Sequence, residues 1–228
     1  MTASGSFRLY VDSADVASWR RLLPLGLFHG VTTNPTLLAR AGVPCRMDSI
    51  VVLADTARRL GCAELHCQAW GEDAAALAAC GARLAHIDAE RILVKLPATV
   101  DGFTAAAMLT RAGIGVTMTA VYTPAQALAS AAAGASYAAP YFGRIGDAGG
   151  DAEATVSAMR AVLRTGGDAT RLLVASLRRP EDVGRLAALG CDTFTMAPAV
   201  AEALVTSEAS EAAAAVFARD AAGASPSS

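Results

Sequence analysis

Eight β-like runs, each followed by a helix-like segment, predict an α/β fold, a single-domain (β/α)8 (TIM) barrel with an extra C-terminal helix. The 228 residues, 54% of them hydrophobic, suffice for one large core and approach the roughly 250 residues typical of such barrels. We therefore expect one domain over residues 1–228, with 1–6 and 223–228 flexible. An open doubly wound sheet is the structural alternative, but no Gly-x-Gly-x-x-Gly follows the first strand to support dinucleotide binding.

The first two units show the pattern most clearly. Residues 7–12 alternate with β-favouring side chains and end at Asp12, after which Ser13 and Asp15 can cap a helix. The β-branched run 29–34 ends at Asn34-Pro35, a cap followed by a residue suited to the first helical position.

The remaining elements repeat this arrangement. The other predicted strands cover residues 63–69, 92–96, 115–119, 136–141, 171–176 and 193–196. The other predicted helices cover about 47–60, 73–86, 101–112 and 151–165, or open at Thr123, Pro180 and Pro198. The glycine-rich piece 143–150 is predicted to be a loop near the site, and Glu208–Ala222 an amphipathic extra helix.

Composition argues against several classes of function. The net charge of −2, with arginines scattered along the chain, gives no basic stripe for nucleic acid. The N-terminus lacks a signal-peptide pattern and no apolar run approaches the ~20 residues of a membrane span, so we expect a cytoplasmic protein with no membrane partner. Three histidines without ligand spacing indicate no metal, and five cysteines without a Cys-x-x-Cys pair fit buried reduced thiols: Cys45, Cys62, Cys67, Cys80 and Cys191.

Lys95 is the only lysine, because the other eighteen of the nineteen basic residues are arginines. An arginine stays protonated, whereas a desolvated lysine can lose its proton and act as an amine nucleophile. A sole lysine inside the apolar run 92–96 therefore indicates a Schiff-base lysine. The alternative is a lysine at a solvated strand mouth, extended toward water or paired with an acid.

Polar residues stand at seven of the eight predicted strand ends, and only the eighth ends apolar, at Met196. In a barrel these ends open on one face, where active sites are built. Capping or loop contacts explain any single one of them, but the coincidence at seven ends favours a site. The residues are Asp12, Thr32 with Asn34, Gln68, Lys95, Thr119, Tyr141 with Arg144, and Ser176 with Arg178.

Residue type alone suggests their roles. Lys95 would attack a ketone to form an imine that weakens the adjacent carbon–carbon bond, the chemistry of a class I aldolase. Asp12, the only acid at a strand end, would move the hydroxyl proton, although it could instead cap a helix. Gln68, Thr119 and Tyr141 could hold water, and a phosphate would suit Arg144, Arg178 and Ser176 unless the arginines are only solvated charges.

The chain resembles the transaldolase family, in particular its short branch of small bacterial transaldolases and fructose-6-phosphate aldolase. The resemblance rests on six motifs: Leu9–Asp15, Gly30–Pro35, Val94–Pro97, Thr119–Tyr122, Ala139–Ile145 and Ala175–Arg178. It implies that Lys95 forms the Schiff base and Asp12 transfers protons. It also implies that Thr32 and Asn34 contact substrate hydroxyls, that Gln68 and Thr119 hold a water, and that Arg144 and Ser176 bind phosphate. Members use no cofactor and assemble as homopentamers or homodecamers through the C-terminal helix.

Within the family the residues point in two directions. Ala139 and Tyr141, both placed beside the substrate, are similar to the aldolase, whereas Gly143 and the Ser176-x-Arg178 pair are similar to transaldolases. We expect transfer of a dihydroxyacetone unit from fructose 6-phosphate or sedoheptulose 7-phosphate to an aldose phosphate. Fructose-6-phosphate aldolase, which releases free dihydroxyacetone, is the alternative. Two alternatives belong to other functional classes: a non-catalytic barrel that binds a sugar phosphate, and an isomerase that uses Lys95 only as a charge.

Overall fold

A computed structural model describes residues 7–167 and 169–223 as eight parallel strands in a closed barrel, in the order β1 to β8. The predicted (β/α)8 barrel is therefore confirmed. Residues 1–6 and 224–228, for which the sequence predicts flexibility, lie outside the described residues, whereas residue 223 ends the last helix.

All eight predicted strands are present, with ends that differ by one or two residues. They are β1 (Arg8–Asp12), β2 (Phe28–Thr32), β3 (Glu64–Gln68), β4 (Ile92–Pro97), β5 (Val116–Val121), β6 (Tyr137–Pro140), β7 (Arg171–Leu177) and β8 (Thr193–Met196). In the register of the barrel, Lys95 lies between Gln68 on β3 and Thr117 on β5. Paired residues of adjacent strands point to the same side of a sheet, so these three side chains face the barrel interior.

Eleven α-helices are present in the described ranges, besides a short 3-10 helix at Leu23–Leu25. They are α1 (Val16–Leu22), α2 (Pro35–Arg40), α3 (Met47–Arg59), α4 (Ala74–Ile87), α5 (Val100–Arg111), α6 (Pro124–Ala132), α7 (Phe142–Asp147), α8 (Ala152–Thr165), α9 (Pro180–Ala188), α10 (Pro198–Val205) and α11 (Glu208–Gly223). The predicted caps at Asp15 and Asn34 are confirmed, because their side chains accept hydrogen bonds from backbone N–H groups of the first turn. The hydroxyl of Ser13 accepts from the Asp15 N–H and caps no helix.

Helix α7 corrects one prediction, since the sequence 143–150 was expected to form a loop and residues 142–147 are helical. Gly143 lies where this helix packs closely against β7. A Cβ on Gly143 would lie 2.5 Å from the backbone oxygen of Ser176, so no larger residue fits there without a shift.

The main core lies between the outer faces of the strands and the helices. Inside the barrel, the described residues form a small apolar cluster, made of Tyr10, Tyr137, Ala139 and Leu173 with Leu93 against it. Polar groups fill the rest of the lower interior around Glu64, which accepts hydrogen bonds from the hydroxyls of Tyr10 and Tyr137 at 2.7 and 2.8 Å. This polar floor lies below the C-terminal face, where the candidate site opens.

Two surface features also differ from or extend the predictions. Cys62, Cys67, Cys80 and Cys191 are buried free thiols as expected, but Cys45 is exposed. The final helix, α11, lies on the surface, and the Phe217 side chain on it is 69% exposed. No helix among the described residues is both long and apolar enough to cross a membrane.

Candidate active site

A cavity of about 410 Å³ opens at the C-terminal ends of the strands. Sequence-predicted residues supply much of its lining: Asp12, Asn34, Gln68, Lys95, Thr119, Ala139, Tyr141, Arg144 and Ser176. Side chains from β1, β3, β4, β5 and β6 thus meet in one place although they are far apart in sequence. The parallel register of a closed barrel produces this convergence.

Lys95 projects from β4 into the bottom of this cavity and is only 4% exposed. Burial lowers the pKa of its ammonium group, while the negative charge of Asp12 acts in the opposite direction. Within the described residues, its Nζ has no hydrogen-bond partner. An amine in this environment is available to attack an electrophile in the cavity.

Asp12 is held at the end of β1 by a neighbouring hydroxyl. The Thr32 Oγ1 donates a hydrogen bond of 2.6 Å to Oδ1 of Asp12, and a second contact of 2.6 Å joins Thr32 Oγ1 to Thr195 Oγ1. Thr32 is fully buried and does not itself belong to the cavity lining. Its role as a direct substrate contact therefore stays a prediction.

Tyr141 contacts two other residues of the cavity, Thr119 and Arg144. Its hydroxyl lies 3.0 Å from Oγ1 of Thr119, and its ring lies beneath the Arg144 guanidinium at 4.9 Å. Gln68 pairs in register with Lys95 and also lines the cavity. An amide and two hydroxyls thus share the cavity with the amine, and such groups can hold a bound water.

The end of β7 brings a strained residue to the cavity. Ser176 adopts φ of 62°, a left-handed conformation that is costly for a residue with a side chain. The missing side chain of Gly143 lets the first turn of α7 approach Ser176 closely. Ser176 and Arg144, which line the same cavity, are consequently held near one another, in an arrangement suited to an anion.

Asn34 and Arg178, two of the predicted site residues, have side chains that already bind other groups of the protein. The Asn34 Oδ1 accepts the backbone N–H of Leu37 at 3.0 Å, so its amide nitrogen is the group free to meet a ligand. Arg178 is outside the cavity lining, and its side chain, 58% exposed, forms an ion pair with Asp147. Its predicted phosphate contact is not part of the described geometry and stays a prediction.

The structure adds three polar cavity residues that the sequence reasoning missed: Thr195, Thr36 and Arg40. Thr195 lines the cavity and is 2% exposed, so the expectation that β8 contributes only apolar Met196 is wrong. Because side chains alternate along a strand, Met196 packs in the outer core and Thr195 faces inward. Strict alternation along 193–196 would have revealed it. Thr36 and Arg40, both on α2, are the other two additions, and no strand-end pattern identifies them.

Among residues 7–167 and 169–223, no group of three His, Cys, Asp or Glu side chains is arranged to hold a metal ion. The cavity instead combines a desolvated amine, a carboxylate, hydroxyls and a cation. Together these groups can form an imine with a ketone, move a proton at a neighbouring hydroxyl, and bind an anionic end of the same molecule.

Comparisons with known proteins point to one family. The chain matches the family model described as transaldolase/fructose-6-phosphate aldolase over residues 9–225. It is 34% identical over 191 residues to a probable transaldolase of Geobacter sulfurreducens, covering 83% of this chain and 86% of the relative. It is 36% identical over 193 residues to a probable transaldolase of Caulobacter vibrioides, covering 85% and 86%.

Among solved structures, the chain is similar to one titled "Native KDPGal structure", with a TM-score of 0.59 and 14% identity, covering 86% of this chain and 84% of that one. A monomeric dihydrodipicolinate synthase variant gives a TM-score of 0.60 and 13% identity, with coverage of 84% and 69%. At such low identity these likenesses show the barrel fold alone.

Proposed function

Because this chain belongs to the transaldolase and fructose-6-phosphate aldolase family, we propose that it is a class I transaldolase acting through a Schiff base on Lys95. The donor would be a ketose phosphate such as fructose 6-phosphate or sedoheptulose 7-phosphate. The acceptor would be an aldose phosphate, and the transferred group a dihydroxyacetone unit.

The observation that carries this proposal is the state of Lys95. It is the only lysine, it is buried at the bottom of the cavity, and burial lowers the pKa of its amine. Desolvation makes the neutral amine accessible nearer to neutral pH, and only this form attacks a carbonyl.

The reaction then follows in balanced steps. The neutral Lys95 amine adds to the C2 ketone and, with one proton taken up from solvent, loses water, which leaves a cationic imine. Asp12 takes the proton of the C4 hydroxyl, the C3–C4 bond breaks, and its electrons move into the imine to give an enamine while an aldehyde leaves. The enamine attacks the acceptor aldehyde, Asp12 returns its proton to the new hydroxyl, and water releases the ketose product.

The other cavity residues have supporting roles in this scheme. Gln68, Thr119 and Tyr141 would hold the water that leaves and returns during imine formation. Arg144 and Ser176 would bind the phosphate, since a guanidinium and a hydroxyl suit its oxygens. The Asn34 amide and the small Ala139 would accommodate the polyol chain of the substrate.

Fructose-6-phosphate aldolase activity is the second candidate, and the Tyr141 hydroxyl is the observation in its favour. This phenol lines the cavity and lies 3.0 Å from Thr119 Oγ1. If it protonates the enamine carbon before an acceptor arrives, the product is free dihydroxyacetone. Transfer and release thus differ in which electrophile meets the enamine first.

Borohydride trapping tests the proposal. The protein is incubated with fructose 6-phosphate and borohydride, which reduces an imine to a stable amine, and the peptide that contains Lys95 is analysed by mass spectrometry. We expect a dihydroxyacetone adduct on Lys95 and none in Lys95→Arg. A folded protein that forms no adduct would refute the Schiff-base mechanism and favour a barrel that only binds sugar phosphates.

Product analysis then separates the two candidates. With erythrose 4-phosphate present, a transaldolase yields sedoheptulose 7-phosphate from fructose 6-phosphate. An aldolase yields dihydroxyacetone at a rate that does not depend on the acceptor.

We also propose that the chain forms a homopentamer or homodecamer through α11. The exposed Phe217 and Val216 side chains on this helix support the idea, because a partner could cover them. Light scattering of the full chain and of a chain ending before Glu208 would test it, with a smaller assembly expected for the shorter chain.

A further inference from the structure

Three oxygen atoms form a continuous chain behind the proposed proton-transfer acid. Thr195 Oγ1 lies 2.6 Å from Thr32 Oγ1, which lies 2.6 Å from Oδ1 of Asp12. The chain crosses three neighbouring strands, because β1 pairs with β2 on one side and with β8 on the other. Both threonines are buried, at 0% and 2% exposure, so solvent does not compete for these contacts.

Counting protons fixes the direction of each hydrogen bond. A carboxylate only accepts, so Thr32 donates its single hydroxyl proton to Asp12. The Thr32 oxygen can then only accept in its other contact, and Thr195 must be the donor. The order is therefore Thr195 to Thr32 to Asp12, with both hydroxyl protons committed.

This order makes the two oxygens of the carboxylate unequal. Oδ1 accepts from Thr32, whereas Oδ2 has no hydrogen-bond partner within the described residues, and Asp12 lines the cavity. A proton on Oδ1 would require both hydroxyls to reverse. A proton from a ligand can therefore bind to Oδ2 without any rearrangement of the two hydroxyls.

We propose that Thr195 is a positioning residue, which acts through Thr32 to anchor Oδ1 of Asp12 and so reserves Oδ2 for proton exchange with the substrate. The inference rests on the proposed function, in which Asp12 accepts and returns the C4 hydroxyl proton. Without the Thr195 hydroxyl, the buried Thr32 oxygen loses its donor, and neither Thr32 nor the carboxylate keeps a single orientation.

The test compares Thr195→Val, which keeps the side-chain shape, with Thr195→Ser, which keeps the hydroxyl. For cleavage of fructose 6-phosphate we expect Thr195→Val to lower kcat about tenfold with a smaller change in KM. This is part of the roughly 10²–10⁴-fold that positioned acid–base groups provide. Thr195→Ser should stay within about threefold of the unmodified protein, because its O–H can still donate.

A matched control lies on the same strand. Thr193 is also a buried hydroxyl of β8, but it binds Arg171 and Asp192 and not the Asp12 chain. Thr193→Val should therefore keep kcat, while Thr195→Val loses it. Thr195→Ala serves as a second hydroxyl-free variant if the valine variant does not fold.

Trapping with dihydroxyacetone and borohydride tests imine formation separately from the role of Thr195, since this ketone forms an imine without any carbon–carbon cleavage. Thr195→Val should trap as much adduct as the unmodified protein and yet cleave slowly. Normal trapping with an unchanged kcat, a rise in KM alone, or a serine variant as slow as the valine variant would each overturn the role of Thr195. Absence of trapping in the unmodified protein would overturn the proposed function itself.

Discussion

Two glycines of helix α7 provide a matched test of how the helix meets strand β7. An ideal Cβ on Gly143 would lie 2.5 Å from the backbone oxygen of Ser176 and 3.0 Å from Nε of Arg178. An ideal Cβ on Gly146 would have no atom within 4 Å. Both residues lie in the same helix, so the gain in helix propensity from alanine is similar for both, about 0.5–1 kcal/mol.

We expect Gly146→Ala to raise the free energy of unfolding by about 0.5–1 kcal/mol, because nothing opposes the propensity gain. Gly143→Ala gains the same amount but loses about 1–3 kcal/mol to the clash, since a backbone oxygen cannot rotate away. The propensity gain cancels between the variants, so their difference isolates the clash at about 1–3 kcal/mol. For a chain of this size that corresponds to roughly 2–4 °C in Tm per kcal/mol.

Urea unfolding and thermal melting of both variants would measure this difference. The KM for fructose 6-phosphate gives a second readout, since displacement of Ser176 should raise it in Gly143→Ala and leave it unchanged in Gly146→Ala. If the two variants were equally stable, the contact between α7 and β7 would not be the reason for glycine at 143.

Two further predictions concern the charged residues of the site. Burial lowers the pKa of Lys95, so the unfolded chain binds more protons between the folded and ordinary lysine values, and stability rises with pH across that window. Near neutral pH, Lys95→Met should thus have a higher free energy of unfolding than the unmodified protein. Urea unfolding should show that this difference becomes smaller toward pH ~10, and a difference that stays constant with pH would contradict the lowered pKa. Arg144→Gln should raise KM for fructose 6-phosphate by about tenfold or more, but Arg178→Gln by less than about threefold, because Arg178 is exposed and already paired with Asp147. The reverse order would place the phosphate on Arg178.

The barrel could be predicted because each strand carries its own signal. Runs such as 92–96 are apolar and β-branched, and helix caps such as Asn34-Pro35 follow directly. Helix α7 was missed because a glycine can indicate either a flexible loop or a close packing contact, and the sequence alone does not distinguish the two. At Gly143 the requirement is space beside Ser176, which depends on a strand more than thirty residues away.

The candidate site was predictable to the extent that strand ends must converge in a closed barrel. Lys95, Asp12 and Tyr141 were found in this way, and all three line the cavity. Thr195 was missed because the last residue of β8 was taken as the inward one, although strand alternation sets the inward side. Arg40 could not be found from strand ends, since α2 brings it to the cavity and its placement depends on how that helix packs.

The polar floor of the barrel bears on the electrostatics of the site, because it contains a second, partly buried carboxylate, Glu64. Burial alone would raise the pKa of Glu64, but hydrogen bonds from His29, His66 and Tyr10 hold it well below its ordinary value. This second anion is therefore neutralised where it lies, with the Arg8 guanidinium 3.1 Å away. Asp12 is then the acid that favours the ammonium form of Lys95, while burial favours the amine. In the proposed mechanism, the hydrogen bond to one oxygen of Asp12 would keep these opposing influences at a fixed geometry and leave Oδ2 to exchange a proton with the substrate.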